Sequence, residues 1–394
     1  MQHYRQWSAA FASYFTILGL WTAFGPGALM ATDPHAAPLA LAIITLVYFV
    51  ATPSVRLLWN LLGFARTIVL MGLGVCLSLG TAALVPQWLA WCVPLSFFFG
   101  SASYTLCETK MLEDLAQAGQ GHAFGRARKW GSFGFLAAAS LGGAAFSVEG
   151  GVGRAFTWAL GLCGVAYLLC CLALARASRV GIPHVQPSPD AAPPAATPTP
   201  LHDARHAVHG TSSLQQRVTG AAAVSVMRLA EAISTTWFGA YWLATGHSPL
   251  QTGLLCALPV AAEFLAMWKG GALLARYSVV AMMLFCCAIS ALRWLATPWC
   301  SALWCAVPLQ SVHAFTFGFF YPASLLWLKH AFGDHFFQIR YATESGARAL
   351  TAAISYAAAS WLLATWGYGA VFGISSALAA LTGLWWWRVL RRPA

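Results

Sequence analysis

Charge is what this chain has least of. Of its 394 residues 8% are Asp, Glu, Lys or Arg, against 59% hydrophobic, where a soluble globular domain carries about 25% charged residues. A soluble domain is excluded. The 11 cysteines include no CxxC spacing; most lie inside apolar runs (Cys76, Cys92, Cys163, Cys170–Cys171, Cys286–Cys287), where they read as small packing residues with no disulfide needed. No GxxxxGK[ST] segment is present to cradle nucleotide phosphates, so ATP hydrolysis is not expected. Ten-residue alternation of the outer-membrane barrel type is missing as well. No long extramembrane segment other than one low-complexity stretch exists to build a catalytic domain, so the chain reads as a non-enzyme.

Apolar runs of membrane-crossing length are what the chain does have. Crossing about 30 Å of hydrocarbon takes about 20 apolar residues, and short loops force such spans to be helical. Helices are expected at 7–30, 36–58, 65–86, 88–112, 130–149, 155–175, 219–244, 250–274, 278–297, 300–328, 344–365 and 368–387. The class is therefore an all-α membrane protein of twelve transmembrane helices. The first run follows a single early charge, Arg5, and shows no clear small-x-small cleavage site, which fits an uncleaved first span.

The polar stretch RASRVGIPHVQPSPDAAPPAATPTPLHDARHAVHGTSSLQQR reads as a flexible cytoplasmic linker, because its Pro, Ala and small polar content cannot bury a core. It divides the chain into a six-helix bundle over 1–175, a linker over 176–218 and a second six-helix bundle over 219–394. The halves echo each other at FGPGALMATDPHAAPLALAI (24–43) and FGAYWLATGHSPLQTGLLCAL (238–258). Two similar bundles around a midplane cavity is a transporter architecture. His202, Asp203, His206 and His209 in the linker have the spacing of one helical face, yet the composition argues for disorder, and no metal or other cofactor is expected.

The net charge of +11 could suggest nucleic acid, but its distribution points elsewhere. With the N-terminus in the cytoplasm, one side collects Arg5, Arg56, Arg66, Arg126, Arg128, Lys129, Arg176, Arg179, Arg205, Arg217, Lys269, Arg276, Lys329, Arg340, Arg388, Arg391 and Arg392. The other side keeps Arg154. That asymmetry is the positive-inside signal of a multi-pass protein with both termini cytoplasmic, in a bacterial-type inner membrane. Glycines on the third span (Gly72, Gly74, Gly80) and fifth (Gly131, Gly134, Gly142, Gly143, with Ser140) are expected to allow close helix approach.

Against this background the stretch LCALPVAAEFLAMW (255–268) holds one carboxylate, Glu263. Each ionised group at the bilayer centre costs about 2.5–3.5 kcal/mol on insertion scales, so such residues face a partner or an aqueous path. Glu108 and Lys110 lie on the fourth span, Arg228 and Glu231 on the seventh, Arg293 on the ninth, His313 on the tenth, Arg348 on the eleventh. Arg228 with Glu231 and Glu344 with Arg348 have same-face spacing and could be structural pairs. Glu263, Arg293 and His313 put one titratable or cationic group on each of three consecutive helices, and a carboxylate near a guanidinium and an imidazole can hold or release a proton as its partner changes.

FGRARKWGSFGF (124–135), YWLATGHSPLQTG (241–253), AAEFL (261–265), ALRW (291–294) and QSVHAFTFG (310–318) together resemble the major facilitator superfamily, in the branch of lactose permease and the phenylpropionate permeases, over most of the chain outside the linker. The resemblance implies the major facilitator fold. It places the substrate guanidinium at Arg128 and the stacking aromatic at Phe135; the carboxylate partner falls on Lys110, with Glu108 close by. Cationic Lys110 and Arg128 suit an anionic substrate better than a galactoside. The coupling positions fall on Glu263, Arg293 and His313, and an interhelical charge pair on Glu231 and Arg348. A second pair falls on Ser234 and Gln310, and the acid one turn after the histidine falls on Thr316, which would leave Glu263 to carry the proton.

The expected function is secondary active transport: a monomer in the bilayer moving a small-molecule substrate, an aromatic monocarboxylate of the phenylpropionate type, with a proton. A proton symporter for a neutral nucleoside or sugar has the same architecture and stays open. Trp21, Phe24, Trp237, Phe238, Tyr241 and Phe317 are candidates for an aromatic cavity wall.

Overall fold

The computed structural model describes residues 2–117, 123–148, 152–179, 213–274, 277–335, 339, 343 and 347–390, and the linker histidines lie outside them. The described residues are predominantly helical: α1 (Gln2–Thr32), α2 (Ala37–Leu62), α3 (Phe64–Leu84), α4 (Leu89–Gln117), α5 (Ala123–Val148), α6 (Gly153–Arg179), α7 (Leu214–Ala244), α8 (Pro249–Leu274), α9 (Val279–Ala296), α10 (Leu303–Ser311), α11 (Phe320–Phe332) and α12 (Ala347–Leu390). Among the described residues, 9 helices are long and apolar enough to cross a membrane.

Local chemistry sets several ends. Ser213 and Gln216 cap α7 reciprocally, with Gln216 N donating to Ser213 Oγ and Ser213 N to Gln216 Oε1. Ser248 and Gln251 repeat the device at α8. Each box satisfies two backbone donors that a helix start leaves orphaned. Within α12 the backbone breaks at Gly367, whose φ of 73° lies in the left-handed region, and so one helical run serves as the last two expected spans.

The tenth span differs from the uninterrupted helix expected over 300–328. It starts at Leu303 and gives way after Ser311 to a π-helical turn over Ala314–Phe319 before α11 resumes. Pro308 contributes no N–H, which removes one bond from the ladder of α10 itself. A second difference concerns cysteine. Cys300 and Cys305 are joined by a disulfide across the turn that leads into α10, with Cα atoms 5.5 Å apart. Cys92, Cys286 and Cys287 are buried among apolar neighbours, as packing residues are.

The chain divides into two compact units. The first comprises Met1–Ile182, Thr235–Val260 and Ala349–Thr365; the second, Pro183–Ser234, Ala261–Arg348 and Trp366–Ala394. In the first unit α1 packs along α5, and α3 along α6. The α1–α5 approach is backbone-close: a Cβ on Gly134 would lie 2.3 Å from the Ala12 carbonyl oxygen. At Gly239 a Cβ would lie 1.9 Å from the Ala23 carbonyl oxygen, which fixes α7 against α1 in the same way. A Cβ on Gly80 would meet open space, while its Cα lies at the contact with α6, 3.9 Å from where a Cβ on Gly161 would stand. The second unit is built around Met227, Met283, Cys286, Cys287, Phe320, Ala323 and Trp386.

Candidate functional site

The second unit holds a buried polar cluster in this apolar setting. Arg293 on α9, 2% exposed, donates from Nη2 to Gln310 Oε1 (2.6 Å) and from Nη1 to Thr316 Oγ1 (3.2 Å), and Nη1 stands 2.9 Å from His313 Nδ1. Its guanidinium carbon lies 4.1 Å from the centroid of the Trp294 ring. A buried guanidinium loses several kcal/mol of hydration, so every acceptor matters. The span-ten irregularity supplies three of them from one short stretch: Gln310 from the end of α10, His313 from the turn and Thr316 from the π segment.

His313 Nδ1 is the centre of this cluster. Thr316 Oγ1 lies 3.1 Å away and Glu231 Oε1, from α7, 3.3 Å away, so a guanidinium, a hydroxyl and a carboxylate all address one nitrogen. That nitrogen has either a lone pair or a proton. Bare, it accepts from Arg293; protonated, it donates toward Glu231 and Arg293 must turn its N–H to another oxygen. The two states are mutually exclusive.

A stack of rings continues along the same span. His313 stacks on Phe317 (5.7 Å between centroids) and Phe317 on Tyr321 (5.5 Å), with interplanar angles of 9° and 3°. Residues four apart hold one helical face. The guanidinium of Arg228, on α7, lies over Phe317 at 4.6 Å and over Tyr321 at 5.2 Å.

Of the residues singled out from sequence, Arg293 and His313 come together. Glu263 on α8 borders the same span at another level: a Cβ on Gly318 would meet Glu263 Cα at 3.5 Å and Ala266 Cβ at 3.2 Å. Glu231 faces His313. Its same-face neighbour Arg228 lies over aromatic rings and makes no ion pair within 4.0 Å among the described residues. The side chains of Arg348 and Arg128 lie outside the described residues, as does Glu344.

In the first unit Glu108 accepts a hydrogen bond from the Tyr104 hydroxyl at 3.3 Å. Lys110 is paired with Asp114 one turn on along α4. Phe135 is half-buried, its backbone pressed against Gly19 of α1. Trp21, Phe24, Trp237, Phe238 and Tyr241 are buried, so they pack the helices; Phe317 keeps partial exposure.

Sequence reasoning passed over Asp114, whose i, i+4 spacing from Lys110 was the available signal. It set Gln310 and Thr316 aside as neutral replacements, although both serve Arg293 as acceptors. Assigning Glu231 to His313 required the rotation of α7, which no spacing within one helix reveals.

Comparison with known proteins places the fold. The MFS_1 like family matches residues 33–379. No curated protein matches the chain. Solved structures share the fold at low identity. The nucleoside transporter NupG has a TM-score of 0.76 at 14% identity, covering 100% of both chains. An auto-inhibited POT family peptide transporter has 0.73 at 14%, covering 100% of this chain and 97% of the other. The inward-open xylose transporter XylE from E. coli has 0.71 at 13%, covering 98% and 96%. An all-helical chain with membrane-length spans, matched over nearly its whole length by one family and superposing on these transporters, belongs to the MFS_1 like family and has the major facilitator transporter fold.

Proposed function

We propose that the chain is a proton-coupled symporter of the inner membrane that takes up a small aromatic monocarboxylate. The single observation that carries the coupling is His313 Nδ1, which lies 2.9 Å from Arg293 Nη1, 3.1 Å from Thr316 Oγ1 and 3.3 Å from the Glu231 carboxylate. Protonation at this nitrogen breaks its bond to Arg293 and makes one to Glu231. The three groups sit on α9, the tenth span and α7, so a change of partner changes which helices are tied together. That is the minimum needed to turn proton occupancy into helix movement. In this reading Glu231 shares the proton with His313, and Glu263 is a second carboxylate bordering the same span.

The anionic substrate class rests on the cations of the transmembrane region, Lys110 and Arg128 on α4 and α5 together with Arg228, and on the ring stack along the tenth span. Glu108 and Phe135 complete the α4–α5 candidates, although Lys110 is already neutralised by Asp114, so an incoming carboxylate would have to compete with that partner. The second reading, symport of a neutral nucleoside or sugar, draws on the fold shared with NupG and XylE.

Purified protein in proteoliposomes, given an inwardly directed pH gradient, separates the two. Accumulation of radiolabelled 3-phenylpropionate that is competed by arylcarboxylates and not by their amides supports the proposal. Accumulation of uridine or a sugar, indifferent to carboxylates, overturns it in favour of the second reading.

A further inference from the structure

Arg228 is a transmembrane cation of the second unit outside the Arg293–His313–Glu231 cluster. It lies on α7, one turn before Glu231, half-buried, with its guanidinium laid over Phe317 and Tyr321. Among the described residues it has no carboxylate within 4.0 Å. A cation in a membrane span is a standing cost, and such residues mark ligand or ion paths.

The way the guanidinium is held matters. The guanidinium carbon lies 4.6 and 5.2 Å from the two ring centroids, against apolar carbon that offers its N–H donors no oxygen or nitrogen acceptor. Those donors form the fork that takes a carboxylate through two parallel bonds. The rings beneath it are parallel to one another and half-buried, so part of their apolar surface is open beside the cation. An aliphatic acid would use the fork alone; an acid carrying a planar ring a few bonds away would use both.

We infer that Arg228, Phe317 and Tyr321 form a carboxylate subsite for the transported substrate, with Arg228 binding the carboxylate and the two rings accepting an aryl group. This rests on the proposed transport of an aromatic monocarboxylate and assigns its recognition to the second unit, beside the Glu231–His313 pair.

The test is equilibrium binding and uptake of radiolabelled 3-phenylpropionate by the full-length chain in proteoliposomes, with 3-phenylpropionamide and 3-cyclohexylpropionate as competitors. Arg228→Gln weakens 3-phenylpropionate binding by at least about tenfold while leaving competition by the amide unchanged. Arg228→Lys, which retains the charge without the fork and keeps the span's charge balance, gives an intermediate loss and serves if the glutamine variant does not fold. Phe317→Leu with Tyr321→Leu removes the preference for the aryl over the cyclohexyl acid.

If wild-type protein accumulates 3-phenylpropionate and both Arg228 variants bind it as well as wild type, the subsite is wrong and the transport proposal stands. If wild-type protein binds none of the arylcarboxylates, the proposed substrate class fails and the subsite falls with it.

Discussion

Glu231 Oε1 lies 3.3 Å from His313 Nδ1, and this contact joins α7 to the tenth span within the second unit. The same nitrogen is 2.9 Å from Arg293 Nη1. One carboxylate and one guanidinium thus compete for a single imidazole nitrogen in a buried setting.

Glu231→Gln cannot accept a shared proton, though it keeps the size and a hydrogen-bonding end. Uphill accumulation driven by a pH gradient should fall to simple equilibration, while counterflow, which needs no net proton movement, persists. Glu263→Gln should reduce accumulation less. Equal loss of counterflow and accumulation in Glu231→Gln would remove it from the coupling step.

Arg293→Lys should fold, yet transport poorly. A lysine keeps the charge but cannot address Gln310, Thr316 and His313 from one planar fork, and leaving buried acceptors unpaired costs about 1–3 kcal/mol each. Initial uptake rates should drop by at least about tenfold, and a wild-type rate would show that the fork geometry is dispensable.

Gly239→Leu should destabilise the first unit. Even a Cβ there would sit 1.9 Å from the Ala23 carbonyl oxygen, which is backbone and cannot swing away, and overpacking of this kind costs about 1–3 kcal/mol. Thermal unfolding in detergent should show a lowered midpoint, with Gly80→Leu, at open space, as the unaffected comparison.

The Cys300–Cys305 disulfide reports orientation. In the proposed topology the turn leading into α10 faces the side opposite the termini, an oxidising compartment in which such bonds persist. A membrane-impermeant maleimide applied to intact spheroplasts should label the chain strongly after mild reduction. Label that is unchanged in a protein with both cysteines replaced by serine would contradict this placement.

The spans were legible because hydrocarbon demands length and apolarity, properties that add up along the chain without reference to neighbours. Arg293 and His313 were legible for the converse reason: a polar group in an oily run has to be explained. Which carboxylate meets His313 was not. Glu231 and Glu263 look alike in sequence, and choosing between them depends on how α7 and α8 are rotated against a tenth span bent by its π turn. The Cys300–Cys305 bond was hidden differently, since both cysteines sit beside a turn whose path decides whether they meet.

By itself, then, the chain's chemistry determined that it lives in lipid, where its helices run, and that a handful of charges had to be satisfied internally, because those are one-dimensional consequences of solvation. Tertiary structure alone decided the pairing between helices: Glu231 on His313, Arg228 over Phe317 and Tyr321. Partner choice among buried charges is a matter of a few ångströms across helices, and Coulomb and hydrogen-bond energies at that range depend on packing rather than on spacing along the chain.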